Sequence, residues 1–198
     1  MRKSFYVAAL GVPWLAGCQF PIAAGELGQT SIYDEDCTSQ DCSGIYANGS
    51  SFALRATSGA FSLEPVPNGA IELRSARFHA VRAGSSSIVI RDPWGVIEDF
   101  AHLSVKDADA LRLAHGSTSS SSASRVVVTA TAGGSRLGGA LPYTATAAPD
   151  DNVKITKDGN TITLATLDDK STAVVLTVTY GGLSAALQVT VGGYSRAY

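Results

Sequence analysis

Charge is scarce in this chain: Asp, Glu, Lys and Arg together make up 16% of 198 residues, and the formal net charge is −2. That balance excludes a basic field able to grip nucleic-acid phosphates. Three cysteines and three histidines leave little material for a metal centre or a redox cluster. No HExxH, GxxxxGK[ST] or Gly-x-Ser-x-Gly pattern occurs, so no catalytic motif announces itself. Long apolar runs are missing too, although 45% of the residues are hydrophobic. A membrane-spanning helix needs roughly 20 consecutive apolar residues. Low charge with this much apolar material also argues against disorder. What remains is a chain rich enough in apolar residues to bury a core, with no cofactor implied.

The first residues have a different logic. Arg2 and Lys3 precede a short apolar stretch from Phe5 to Ala16 that Pro13 interrupts, ending in Leu15-Ala16-Gly17-Cys18. A positive start, a short apolar stretch and small residues before a processing point form an export signal over residues 1–17. The last four positions resemble the lipobox of bacterial lipoproteins. That resemblance implies cleavage before Cys18, lipidation of its thiol and membrane attachment through the acyl chains. Each buried methylene contributes about 0.8 kcal/mol, and firm anchoring takes more than one chain. Gln19, rather than an aspartate, follows the cysteine, which in such proteins implies an outer-membrane address, on the periplasmic or the surface face. Removing residues 1–17 takes away two bases and no acid, so the net charge becomes −4.

From residue 18 to 49 the chain is rich in Gly, Ser and Asp and shows no sustained periodicity, which predicts a flexible tether. Within it, Cys37 and Cys42 remain once Cys18 is lipidated, and an oxidising compartment predicts a disulfide between them. A calcium loop from Asp34, Asp36 and Asp41 is the alternative use of this stretch. It lacks the turn glycine and the bidentate glutamate of an EF-hand, so no metal site is assigned.

Beyond residue 50, apolar residues alternate with polar or small ones. Leu183, Ala185, Leu187, Val189 and Val191 form one face, Val126, Val128, Ala130 and Ala132 a second, and Val174, Leu176, Val178 and Tyr180 a third. Half-buried strands produce this pattern because successive side chains point to opposite faces. Asp158-Gly159 predicts a two-residue type I′ turn that sets Ile155 opposite Ile162 and Val153 opposite Leu164. Asp92-Pro93-Trp94-Gly95 fits a type I turn, and Gly181-Gly182 a third hairpin. Residues 97–111 also fit a helix face through Ile97, Phe100, Ala101, Val105, Ala108 and Leu111, and only context favours strand there.

That context is an internal echo: the hairpin through Ser87–Arg91 and Ala101–Val105 parallels the one through Val174–Val178 and Ala186–Val191. Phe78-His79-Ala80-Val81-Arg82-Ala83-Gly84, followed by a serine-rich strand, resembles the bacterial Ig-like (Big) domains. Arg136-Leu137-Gly138-Gly139-Ala140-Leu141-Pro142 is similar to a turn between their early strands. The resemblance implies all-β architecture: two small Ig-like β-sandwiches in tandem, residues 50–106 and 107–193, after the tether and before a tail at 194–198. It carries no catalytic residues and implies a spacer or adhesion module. The serine run at 116–124 reads as an exposed loop.

Candidate chemistry is thin. His102 should point outward beside Phe100 and Ser104, His115 borders the serine loop, and the face of His79 is not assignable. Trp94, the one tryptophan left after signal removal, sits at a predicted hairpin tip. Packing on the strand beneath or on the neighbouring domain is its more ordinary fate; exposed, it would be a candidate partner contact. The expected function is a non-catalytic binding, adhesion or spacer module, bound to the membrane through Cys18 and to an envelope protein or polysaccharide. An envelope hydrolase, or a hydrolase inhibitor, with a loop-borne site is the alternative. Val174 to Tyr180, if it lay at a sheet edge, would accept a partner strand.

Overall fold

The computed structural model describes residues 21–28, 30–37, 43–57, 60–116, 123–149, 151–168 and 170–192. All regular elements among them are strands. The first half contributes β1 (Ala23–Ala24), β2 (Ser31–Asp34), β3 (Ile45–Ala47), β4 (Ser51–Phe52), β5 (Leu54–Ala56), β6 (Ser62–Pro65), β7 (Ile71–Arg74), β8 (Arg77–Ala80), β9 (Gly84–Arg91) and β10 (Ile97–Lys106). The second half contributes β11 (Ala110–His115), β12 (Ala123–Ala132), β13 (Ser135–Arg136), β14 (Thr144–Ala148), β15 (Val153–Asp158), β16 (Thr161–Thr166), β17 (Thr172–Tyr180) and β18 (Leu183–Val191).

The second sandwich has one sheet ordered β11-β12-β16-β15 and a facing sheet ordered β14-β17-β18. Lettered along the chain with the short β13 set aside, these are A-B-E-D and C-F-G, the order of an Ig constant-type domain. Val126, Val128, Ala130, Ile162 and Leu164 from one sheet meet Val174, Leu176, Val178, Val189 and Val191 from the other in a single core. The faces predicted from alternation are thus the buried ones, apart from Ala132, Leu183, Ala185 and Leu187, which are half-buried.

The first sandwich uses the same plan with one strand moved. Its sheets run β3-β10-β9-β6 and β4-β8-β7, so the first strand has left its usual sheet and pairs parallel with β10. Residues 97–106 are strand, not helix, with Asp99, Ala101, Leu103 and Val105 facing inward. Tyr46, Phe52 and Phe78 stack through the middle of this core, with ring centroids 3.6 Å and 5.9 Å apart. Val105 closes the first core, while Ala108 and Leu111 already pack on the second.

Two expectations need correction. The stretch read as a flexible tether supplies three strands: β1 and β2 extend a small sheet ordered β1-β2-β5, and β3 joins β10. Ile32 is wholly buried there, and the Leu27 and Thr30 amides donate to the buried Asp99 carboxylate at 3.0 and 3.2 Å. Polar composition hid this because the segment is held by side-chain acceptors and a few scattered apolar anchors, Ile32, Tyr46 and Ala47, rather than by a long alternating face. The β15–β16 hairpin also turns one residue later than expected, which shifts the register by two, with Asp158 opposite Thr161 and Ile155 opposite Leu164. Gly159, at φ 52°, takes the first central position, as in a type II′ turn, and Asn160 the second. Asn160 is drawn there by its own bonds: its amide accepts from Leu141 N at 2.8 Å and donates to Gly139 O at 2.7 Å. A shift of two keeps every side chain on its predicted face.

Candidate functional site

The two sandwiches meet along a seam made largely of backbone. Tyr46 bridges Gly138 in parallel and Ser51 bridges Ala140 antiparallel. Gly138 N donates to Ile45 O at 2.8 Å, Ala47 N to Gly138 O at 3.2 Å, and Ser51 and Ala140 exchange bonds of 3.0 and 2.7 Å. The Tyr180 hydroxyl donates to Asn48 O, and Asn48 donates to Asp107 at 2.8 Å. The segment that resembled an internal domain turn therefore docks the first sandwich onto the second. Gly139 must be glycine: its φ is 87°, and a Cβ there would lie 2.8 Å from Ser50 Cβ.

A cleft of about 640 Å³ opens beside this seam, with Asp34, Asp36, Cys37 and Arg77 on one wall and Arg136 and Asn160 on the other. Asp34 is buried at its floor, accepting from the Tyr46 hydroxyl at 3.0 Å and from Asp36 N at 2.9 Å. Burial pushes the Asp34 carboxyl above its ordinary range, although both hydrogen bonds pull the other way. The same burial, with the Asp34 charge beside it, pushes the Tyr46 hydroxyl far above its usual value. Asp36 pairs with Arg77 at the rim and takes Ala53 N at 3.1 Å. Asp34 and Asp36, weighed in sequence as calcium ligands, are thus committed to protein donors, and Asp41 lies outside the described residues. Cys37 is disulfide-bonded; its expected partner Cys42, and Cys18, also lie outside them.

At the other end of the first sandwich the β9–β10 hairpin carries Trp94. The Asp92 carboxylate accepts from Trp94 N at 2.9 Å and Val96 N at 2.8 Å, and Gly95 N donates to Asp92 O at 3.0 Å. With Gly95 at φ 83°, this is the predicted type I turn, followed by a bulge. Trp94 is 86% exposed, flanked by Val96 at 57% and Ile97 at 44%, so the ring packs neither on the strand beneath nor on the second sandwich. Because Ser104 to Lys106 pair with β3 at the seam, the ten residues of β10 hold the tip about 30 Å away from it.

His102 does point outward, and it has partners sequence spacing could not supply. Its Nδ1 lies 2.9 Å from Ser87 Oγ on the neighbouring strand, and its Nε2 lies 2.6 Å from Glu26 Oε1. The order Ser–His–Glu is that of a nucleophile, base and orienting acid. The His102 and Glu26 side chains are, however, 56% and 58% exposed, and neither lines the cleft. On an open sheet face the chain of bonds clamps Glu26 and its neighbours at 25–28 against β10.

No protein-family model and no curated protein sequence matches this chain. Among solved structures it is similar to the D00–D0 domain of intimin, at 13% identity over 76% of this chain and 96% of that one, with a TM-score of 0.33. Domains 4 and 5 of the S-layer protein SbsC give 13% identity over 83% and 98%, with a TM-score of 0.31. β-Glucuronidase 3 of Bacteroides uniformis gives 11% over 73% of this chain, which spans only 23% of that enzyme, at a TM-score of 0.32. At such scores the Ig-like assignment rests on the strand order itself.

Proposed function

We propose that this chain is an exported envelope lipoprotein in which two stitched Ig-like sandwiches act as a stiff, non-catalytic spacer or adhesion module. The observation that carries this reading is the seam: reciprocal backbone bonds between residues 45–51 and 138–140 hold one sandwich against the other. A rigid pair keeps an exposed aromatic tip at a fixed distance from its base, which suits presentation to an envelope protein or polysaccharide. The Leu15-Ala16-Gly17-Cys18 sequence supports attachment through Cys18, and Gln19 supports an outer-membrane address. Cys37 and Cys42 would form a local disulfide.

Cys18→Ser expressed in a diderm bacterium tests the anchor. The variant should move from the detergent phase to the aqueous phase on Triton X-114 partitioning; unchanged partitioning would reject lipid attachment. The hydrolase alternative is favoured by one observation, the Ser87–His102–Glu26 chain. Covalent labelling of Ser87 by a fluorophosphonate, lost in His102→Ala, would overturn the non-catalytic reading; absence of labelling agrees with it.

A further inference from the structure

The strand anticipated as an open edge, Val174 to Tyr180, lies inside β17 and is covered by β14 on one side and β18 on the other. Among the described residues, β18 is the strand that ends this sheet on the second side. Several other edges are guarded in ways known to block strand addition. β6 ends in Pro65; β7 carries Glu72 and Arg74; β11 carries Arg112 and His115; β15 carries Lys154, Lys157 and Asp158. β14 is short and runs into Pro149. By contrast β18, Leu-Ser-Ala-Ala-Leu-Gln-Val-Thr-Val, has nine residues and no charge, proline or glycine.

The groups on its outer side can be assigned. The two-residue Gly181-Gly182 turn makes Tyr180 and Leu183 a hydrogen-bonded pair, so amides at 183, 185, 187, 189 and 191 face β17. Those of Ser184, Ala186, Gln188 and Thr190 face away, and their side chains are exposed. The Thr190 carbonyl is taken by Ser124 Oγ at 2.7 Å, which confirms the outward assignment and closes that end. Among the described residues, no strand pairs with Ser184, Ala186 or Gln188, although β11 of the facing sheet runs beside β18.

We propose that β18 is a self-association edge, pairing antiparallel with β18 of a second copy about a two-fold axis at Ala186. The strand is its own complement there. Ser184 meets Gln188, Ala186 meets Ala186, Ala185 meets Leu187 and Leu183 meets Val189, so core-facing residues align with core-facing residues. Three outward residues from each copy make about six backbone hydrogen bonds. The small side chain at the axis admits close approach, and the lack of charge on β18 is what a self-pairing strand needs, since like charges directly opposite repel. The two β14-β17-β18 sheets would merge into one of six strands, closed by the symmetry. An edge contact of this size lies at the weak end of protein interfaces.

Sedimentation equilibrium of the purified full chain, from micromolar to sub-millimolar concentration, tests this. The wild type should show a monomer–dimer equilibrium. Ala186→Pro removes an outward amide and no internal bond, and should weaken dimerisation on the order of tenfold or more with an unchanged circular dichroism spectrum. Ala186→Lys and Ala186→Glu should each be monomeric alone and dimerise when mixed, a recovery that a fold defect cannot mimic. A monomeric wild type, a dimer indifferent to Ala186→Pro, or a mixture no better than its parts would each overturn the proposal. So would edge amides protected from hydrogen exchange in a monomer, because the chain's own tail would then occupy the strand.

Discussion

In the first sandwich Thr30, Asp34, Ser50, Ser86 and Asp99 are buried; in the second, among the described residues, only Thr131 is a buried polar side chain. Both share the Ig strand order, so the contrast comes from what fills the gaps between strands. The second sandwich satisfies its backbone through long ladders, such as β17 with β18 over nine pairs. Its core can then be almost wholly aliphatic. The first sandwich carries irregular segments at 25–28 and 35–37 whose amides lie outside the ladders. Asp99 accepts from Leu27, Thr30 and Phe100, and Asp34 accepts from Asp36. A buried carboxylate is tolerated when it answers several donors and costly when it does not. Regular strands need no such anchors, and irregular ones cannot do without them.

The comparison is sharpened most by deleting aliphatic volume where no polar anchor can compensate. Leu176→Ala, in the fully buried centre of β17, should cost about 3 kcal/mol in urea unfolding. If the seam couples the sandwiches, that loss should lower the midpoint of both; a first sandwich that keeps its own midpoint would separate them. Gly139→Ala strikes the seam itself, forcing a Cβ against Ser50 at positive φ, and should cost about 2 kcal/mol. Its signature is a single cooperative transition splitting in two, read by calorimetry.

A smaller effect distinguishes the polar floor of the first sandwich. Folding raises the pKa of Asp34 above its unfolded value of 3.8, so the folded state holds that proton more tightly. The contribution of Asp34 to stability therefore grows as pH falls through the interval between the unfolded and the folded pKa, and is lost as pH rises through it. Asp34→Asn should lack this component, making its melting temperature fall more steeply on acidification than that of the wild type. Parallel slopes would show that Asp34 does not titrate in that interval. The smallest effect belongs to the tip. Trp94→Ala should change stability by less than about 0.5 kcal/mol, because the ring is exposed; a loss of several kcal/mol would show it to be core.

Reading the chain residue by residue recovered most of the second sandwich and less of the first. Val126, Val128 and Ala130, or Val174, Leu176 and Val178, announce a buried face because ladder and core impose the same period of two. Trp94 was visible as a hairpin tip from Asp92-Pro93-Trp94-Gly95, since turn chemistry is local. Whether that ring packs or projects depends on what lies beneath it, and no local pattern states that. Ser87, His102 and Glu26 converge only because two strands pair in register and a distant loop folds over them.

The sequence by itself determined the all-β class, most of the inward faces, and the turns at Asp92–Gly95 and Gly181-Gly182, because each follows from neighbours within a few positions. Tertiary structure alone decided that residues 21–28 and 30–37 belong to the first sandwich, that Gly138 and Ala140 form a seam, and that β18 rather than β17 ends its sheet among the described residues. Those outcomes depend on which distant segment supplies each backbone donor with its acceptor, and a one-dimensional pattern does not contain that pairing.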